Sequence, residues 1–222
     1  TRVCGDPPVS GISLEAGVPS DGRVALSFGA SHAFAQWRLP GEHNLRDALL
    51  ACAAAIATGV AFADVAAGCG ELRLPPGRFE THLLPNGARV VYDAYNASPT
   101  SMQYALLAFA ALPAARHIAV LGSMAELGPA SHAQHEATGA AAARSGVDML
   151  FCGGESADAL CTGARNAGLR ADALHTYENN AEITQRLRSL LAADDCVLLK
   201  GSRVQRMEEI LSGLLAAGSL AS

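Results

Sequence analysis

The chain has 222 residues, half of them hydrophobic and 17% charged, with a formal net charge of −5. That composition excludes a disordered chain, and the length makes one large or two small domains with a sizeable core. The acidic balance argues against nucleic acid as the main partner, and the Ala-rich stretch from Ala51 to Ala57 is too short and too interrupted to span a bilayer.

The first residues, Thr1 to Pro7, are polar and broken by proline, without the pattern of a signal peptide and without an initiator Met. The expectation is a cytoplasmic chain that begins within a longer protein. Val24–Phe28 and Phe34–Leu39 read as short strands around a Gly-Ala-Ser-His turn. After Pro40-Gly41 a helix is predicted from about Asn44, a plausible N-cap, to Thr58, where Gly59 stops it. A second helix covers roughly Phe62 to Gly70. Two helices with no evident partner sheet make an incomplete core, so the first 77 residues are expected to belong to a larger domain or to pack on the C-terminal residues.

Pro75-Pro76-Gly77 marks a boundary. Beyond it, Leu83-Leu84 and Arg89–Asp93 flank Pro85-Asn86-Gly87, a hairpin signal. Strands then fall near 117–122, 148–152, 173–177 and 196–200, alternating with helices near 99–112, 131–145, 155–167, 179–193 and 203–216. This alternation predicts the α/β class: a Rossmann-like, doubly wound, mostly parallel sheet over 78–222, preceded by strands and two helices in 1–77.

In such sheets ligands sit beyond the carboxyl ends of the strands. Those ends carry Asp93–Pro99, Gly122–Gly128, Gly153-Gly154-Glu155 and Lys200-Gly201-Ser202-Arg203. A functional rim and ordinary polar βα loops are both open readings of them. Lys200 stands out because it is the only lysine among 16 basic residues. A cation at the end of a buried strand, before Gly-Ser, is well placed for an anion. Lys200 is followed by Gly201, so the chain has no G-x-x-x-x-G-K-[ST] phosphate loop.

Other patterns are weak. Gly68-Cys69-Gly70 ends a helix and reads as a cap. His132 and His135 lie three apart on one helix with no third ligand nearby, and read better as surface histidines than as a metal pair. The six cysteines form no C-x-x-C and read as buried, reduced thiols.

Several segments in this order resemble the Mur ligase family: Gly41-Glu42-His43-Asn44 before the Ala-rich helix, Pro76-Gly77-Arg78-Phe79, Asp93-Ala94-Tyr95-Asn96-Ala97-Ser98-Pro99, Gly122-Ser123-Met124-Ala125-Glu126-Leu127-Gly128, His135-Glu136 with Gly139, and Lys200-Gly201-Ser202-Arg203 with Met207-Glu208. Within the family, the Tyr-Asn-Ala-x-Pro and Met-x-Glu-Leu-Gly signatures favour the D-alanyl-D-alanine-adding branch over the tripeptide-forming and folylpolyglutamate branches. The resemblance implies that 1–77 is the end of a central ATP-binding domain and 78–222 the C-terminal domain. The family's phosphate loop, its magnesium-holding lysine and its first domain find no match.

The implied reaction is ATP-dependent amide formation between UDP-N-acetylmuramoyl-tripeptide and D-alanyl-D-alanine in peptidoglycan synthesis, with ATP and Mg2+ required and most magnesium ligands outside this chain. The resemblance assigns His43, Asn44, Arg78, Asp93, Tyr95 and Asn96 to ATP, and Ser98, Lys200, Ser202 and Arg203 to the substrate side. It names no certain catalytic residue and no metal ligand here, and because the phosphate loop finds no match the chain alone is expected to be inactive. Three positions depart from the family pattern: Tyr92 and Ser98 replace Asp and Asn, and Ser123 replaces the Asp of Gly-Asp-Met. A non-catalytic nucleotide- or peptide-binding module on the same fold is the alternative.

Overall fold

The computed structural model describes residues 2–4, 14–17 and 22–216. The chain divides into two compact units, Thr1–Leu74 and Pro75–Ser222.

The first unit is an antiparallel sheet of β1 (Arg2–Cys4), β2 (Leu14–Gly17), β3 (Arg23–Phe28) and β4 (Ser31–Gln36), in sequence order, with helices α1 (Glu42–Ala57) and α2 (Phe62–Gly70). Helix α1 buries Leu45, Ala48, Leu49 and Cys52, the spacing of a single helical stripe. These meet Val24 and Leu26 of β3 and Val65 and Cys69 of α2 in one core. The expectation of two helices without a partner sheet is therefore corrected: the residues before position 40 supply that sheet. The predicted N-cap also shifts. Gly41, with φ of 78°, precedes the helix, and Asn44 lies inside its first turn with its amide donating back to the Pro40 carbonyl.

The second unit holds a six-stranded sheet in the order β5 (Glu80–Leu83), β6 (Arg89–Tyr92), β10 (Asp195–Lys200), β7 (Arg116–Leu121), β8 (Met149–Gly153) and β9 (Leu174–Tyr177). The hairpin strand β5 is antiparallel and every other pairing is parallel. Helices α3 (Pro99–Ala110), α4 (Ser131–Arg144) and α5 (Ala157–Asn166) cover one face, packing on Val91, Ala119, Leu121, Leu150 and Leu198. Helices α6 (Asn180–Leu190) and α7 (Glu208–Ala216) cover the other, on Val90, Ile118, Val120, Phe151, Val197 and Leu199. Alternate residues of each strand thus feed opposite cores, and β10, last in sequence and central in space, is buried along its whole length.

Two glycines set the spacing of α4 and α5. A Cβ added at Gly139 would lie 1.9 Å from the Leu160 carbonyl oxygen, and one at Gly163 would lie 1.8 Å from that of Glu136. Only glycine lets the two backbones approach this closely. At the amino end of the sheet the buried Asp195 takes two hydrogen bonds from the Arg116 guanidinium, one of 2.9 Å from Nε. That bonding holds its carboxyl below the usual range against the opposing effect of burial.

Two further expectations are corrected. The predicted 203–216 helix is broken. Arg203–Gln205 is a single 3-10 turn, Arg206 turns left-handed at φ of 47°, and α7 starts at Glu208. His135 is fully buried rather than on the surface, because α4 turns it inward beneath the loop after β7.

Candidate functional site

The crossovers β6–α3–β7, β7–α4–β8 and β8–α5–β9 run on one face, and β9–α6–β10 returns on the other. The winding reverses around β10, so the carboxyl ends of β6, β10 and β7 are where a ligand crevice belongs.

At the centre lies the ion pair Lys200–Asp93. Lys200 Nζ is 2.7 Å from Asp93 Oδ2, 3.3 Å from the Asp93 carbonyl and 3.4 Å from the Asn96 carbonyl. The register explains the meeting. Leu199 pairs with Tyr92, and the Asp93 N–H donates to the Leu199 carbonyl at 2.9 Å. Cys196, Leu198 and Val91 all face the α3 side, so alternation brings Lys200 and Asp93 to that same side. The Lys200 side chain is 1% exposed and that of Asp93 17%. Burial pushes the Lys200 ammonium below its ordinary value, and Asp93 works against that fall. The anion for which this cation is placed is supplied within the chain, by Asp93.

Next to the pair is an aromatic platform. Tyr95 is 47% exposed, with the Arg78 guanidinium 4.7 Å and that of Arg203 5.8 Å from its ring centre. Its N–H donates to the Gly77 carbonyl at 3.0 Å, which ties the Pro75–Phe79 turn to the loop after β6. Phe79 holds a left-handed φ of 51° beside Arg78. The platform therefore offers two exposed cations against one aromatic ring, beside a carboxylate whose Oδ1 has no hydrogen-bond partner among the described residues.

The third part is a stitch of three loops through Ser123. Its Oγ accepts from Ser156 N–H at 3.0 Å, and its carbonyl accepts from Ser202 N–H at 3.1 Å. The next residue, Met124, donates its N–H to Nε2 of His135 at 2.8 Å, and His135 Nδ1 lies 2.7 Å from the Ser131 carbonyl. This pattern requires a neutral imidazole protonated on Nδ1. Gln205 lies across the same loops: a Cβ on Gly122 would approach its Cγ to 2.8 Å, and one on Gly154 its amide oxygen to 2.8 Å. Ser202 is 2% exposed, and its hydroxyl has no hydrogen-bond partner among the described residues.

The remaining expected residues have other surroundings. Asn96 is exposed, and its side chain accepts from Ala97 N–H. Ser98 caps α3 in a reciprocal box with Ser101, so its hydroxyl has a structural duty. His43 and Asn44 lie on α1 in the first unit. Sequence reading placed His135 on the surface and missed Ser156 and Gln205. The signal was the recurrence of glycine at three strand ends, Gly122, Gly153-Gly154 and Gly201, which leaves room for neighbouring loops to close over one another. Cavities of about 380 and 320 Å3 open at the opposite end of the sheet, where Arg116 and Asp195 already pair with each other.

Chemically, the rim offers a carboxylate oxygen for hydroxyl donors, two guanidinium groups on a tyrosine for anionic or planar groups, and a spare buried hydroxyl. Neither the Ser123 nor the Ser202 hydroxyl of the rim is hydrogen-bonded to a side-chain base among the described residues. Among the described residues no three His, Cys, Asp or Glu side chains come together to hold a metal ion. No helix among them is long and apolar enough to cross a membrane.

Comparison with known proteins agrees with this architecture. Residues 77–203 match the model of the Mur ligase, glutamate ligase domain. The chain is 36% identical over 183 residues to the UDP-N-acetylmuramoyl-tripeptide–D-alanyl-D-alanine ligase of Escherichia coli, covering 82% of this chain and 39% of that protein. It is 31% identical over 176 residues to the ligase of the same name from Bacillus subtilis, covering 79% and 38%. In fold it is similar to the crystal structure of MurF from Acinetobacter baumannii, with a TM-score of 0.77 at 24% identity over 96% of this chain and 44% of that one. The chain spans about two fifths of the length of the curated relatives it matches. A matched domain model over more than half the chain, the relatives and the doubly wound fold together place this chain in the Mur ligase family.

Proposed function

We propose that this chain is the C-terminal part of an ATP-dependent ligase that joins D-alanyl-D-alanine to UDP-N-acetylmuramoyl-tripeptide in the cytoplasm, during peptidoglycan synthesis. The observation that carries the reading is 36% identity to a ligase of that name across four fifths of the chain. In this reading 1–77 ends the central ATP-binding domain and 78–222 is the C-terminal domain.

A carboxylate is a poor acyl donor, so the tripeptide carboxylate first takes the γ-phosphoryl group of ATP, with ADP as the leaving group. The dipeptide amine then attacks the acyl phosphate, and inorganic phosphate leaves. The contribution of this chain is positioning and charge stabilisation. Asp93 Oδ1 accepts from the ribose hydroxyls. Arg78 reaches the nucleotide while stacked on Tyr95, and Asn96 shapes the same wall. Asn44 and His43 serve the adenine from α1. Ser202 and Arg203 lie toward the acceptor, where a hydroxyl and a guanidinium suit a carboxylate, and Ser98 borders that side. The magnesium of the family finds no ligand cluster among the described residues of this chain, and no step is assigned to it.

The test is phosphate release by the complete gene product with ATP, Mg2+, UDP-N-acetylmuramoyl-tripeptide and D-alanyl-D-alanine. Release that requires the dipeptide and yields the pentapeptide product supports the reading. Release driven by a single amino acid in place of the dipeptide sinks it.

A further inference from the structure

The Lys200 ammonium has three donors, and three acceptors surround it: Asp93 Oδ2, the Asp93 carbonyl and the Asn96 carbonyl. No N–H remains for a ligand, and the side chain is 1% exposed. To meet a substrate carboxylate, Lys200 would have to leave Asp93 as a largely buried, unpaired anion, which is strongly unfavourable. Asp93 is different: its side chain is 17% exposed, and one of its two oxygens has no hydrogen-bond partner among the described residues.

We infer that Lys200 is a positioning residue for the nucleotide, touching neither substrate. It fixes the Asp93 carboxylate through Oδ2 and leaves Oδ1 for hydroxyl donors. Through the carbonyls of Asp93 and Asn96 it also pins the loop that carries Tyr95, and so the ring on which Arg78 stacks. The family's dipeptide-side role, expected for Lys200 from resemblance, passes to its neighbours Ser202 and Arg203. This inference rests on the nucleotide reading of the rim.

The test is a cycle of Lys200→Met, Asp93→Asn and the double variant in the complete gene product, with KM measured separately for ATP and for D-alanyl-D-alanine. Lys200→Met and Asp93→Asn are each expected to raise the ATP KM by about tenfold or more, with the dipeptide KM changing by less than about twofold. The double variant should be no worse for ATP than Asp93→Asn alone, because both changes act through one carboxylate. A rise in dipeptide KM with ATP KM unchanged in Lys200→Met overturns the inference, as does multiplication of the two ATP effects in the double. Should Lys200→Met not fold, the double variant against Asp93→Asn decides, and any added rise in dipeptide KM counts against it. An Asp93→Asn enzyme with unchanged ATP KM removes the nucleotide reading and this inference together. An effect of Asp93→Asn with none from Lys200→Met removes this inference alone.

Discussion

Gly139→Ala tests the packing of α4 on α5 with opposed signs. Local propensity favours the change, since alanine stabilises a helix interior by up to about 1 kcal/mol over glycine. Packing opposes it. The new Cβ would lie 1.9 Å from the Leu160 carbonyl oxygen and 2.8 Å from its carbon, where ordinary contact starts near 3.4 Å. Both atoms are backbone, so relief requires the helices to part by roughly 1.5 Å, which loosens the contacts of Ala142, Leu160 and Ala164 across the whole interface. Overpacking of this kind costs about 1–3 kcal/mol, and more when no side chain can swing away. The net expectation is a loss of about 2 kcal/mol, or about 4–8 °C in Tm for a unit of this size. Gly68→Ala in α2 is the matched control, because nothing lies within 4 Å of its added Cβ, and it should leave Tm unchanged or raise it. Thermal denaturation followed by circular dichroism reads both. A Gly139→Ala protein as stable as the parent would refute the close approach of the two helices.

Tyr95→Ala should weaken nucleotide binding by about 0.5–2 kcal/mol, read as ATP KM in the complete gene product, with an unchanged circular dichroism spectrum because the ring is half exposed. His135→Phe fills the same space without an acceptor and strands the Met124 N–H, so Tm should fall by the equivalent of about 1–3 kcal/mol, with His135→Gln recovering part of it. His175 is held below its ordinary value by burial and then by Arg186. Its folded state therefore resists protonation, and stability should be complete above the unfolded histidine value and fall as pH drops below it. His175→Gln should flatten that slope in a series of Tm against pH. Asp195, held low by its bonding to Arg116, should contribute fully above the unfolded carboxyl value and lose that contribution as pH falls through its lower folded value. An Arg116→Met protein with the same acid limb would count against the pairing.

The alternation of short strands with helices was readable because β7, β8 and β10 each carry an apolar run, Ile118–Leu121, Leu150–Cys152 and Val197–Leu199, with glycine at the end, Gly122, Gly153 and Gly201. The strand order was not, since nothing local in Cys196–Lys200 says that β10 inserts between β6 and β7. The same gap hid the Lys200–Asp93 pair, whose members are 107 residues apart and meet only through that insertion. His135 was misread because α4 is rich in alanine and carries no apolar stripe from which to tell its buried face. The break at Arg206 was invisible because Val204 to Glu209 contains no glycine or proline to announce it. Of the expected site residues on the second unit, Arg78, Asp93, Tyr95, Lys200, Ser202 and Arg203 lie at the carboxyl ends of the strands, while the Asn96 side chain and the Ser98 hydroxyl are taken up by local bonds, and the surroundings of Lys200 could be read only from distances.

The place of β10 has a consequence for biosynthesis. Strands β6 and β7 do not pair with each other, and the strand that joins them is the last of the sheet to be made. As the chain leaves the ribosome, the hairpin β5–β6 and the block β7–β8–β9 can form early, but they stay two separate, edge-exposed pieces until residues 195–200 emerge. A chain cut just before Asp195 should thus keep helices by circular dichroism and lose the Lys200–Asp93 pair at the rim. The same topology leaves the edges of β6 and β7 without their central partner until this last strand has been made.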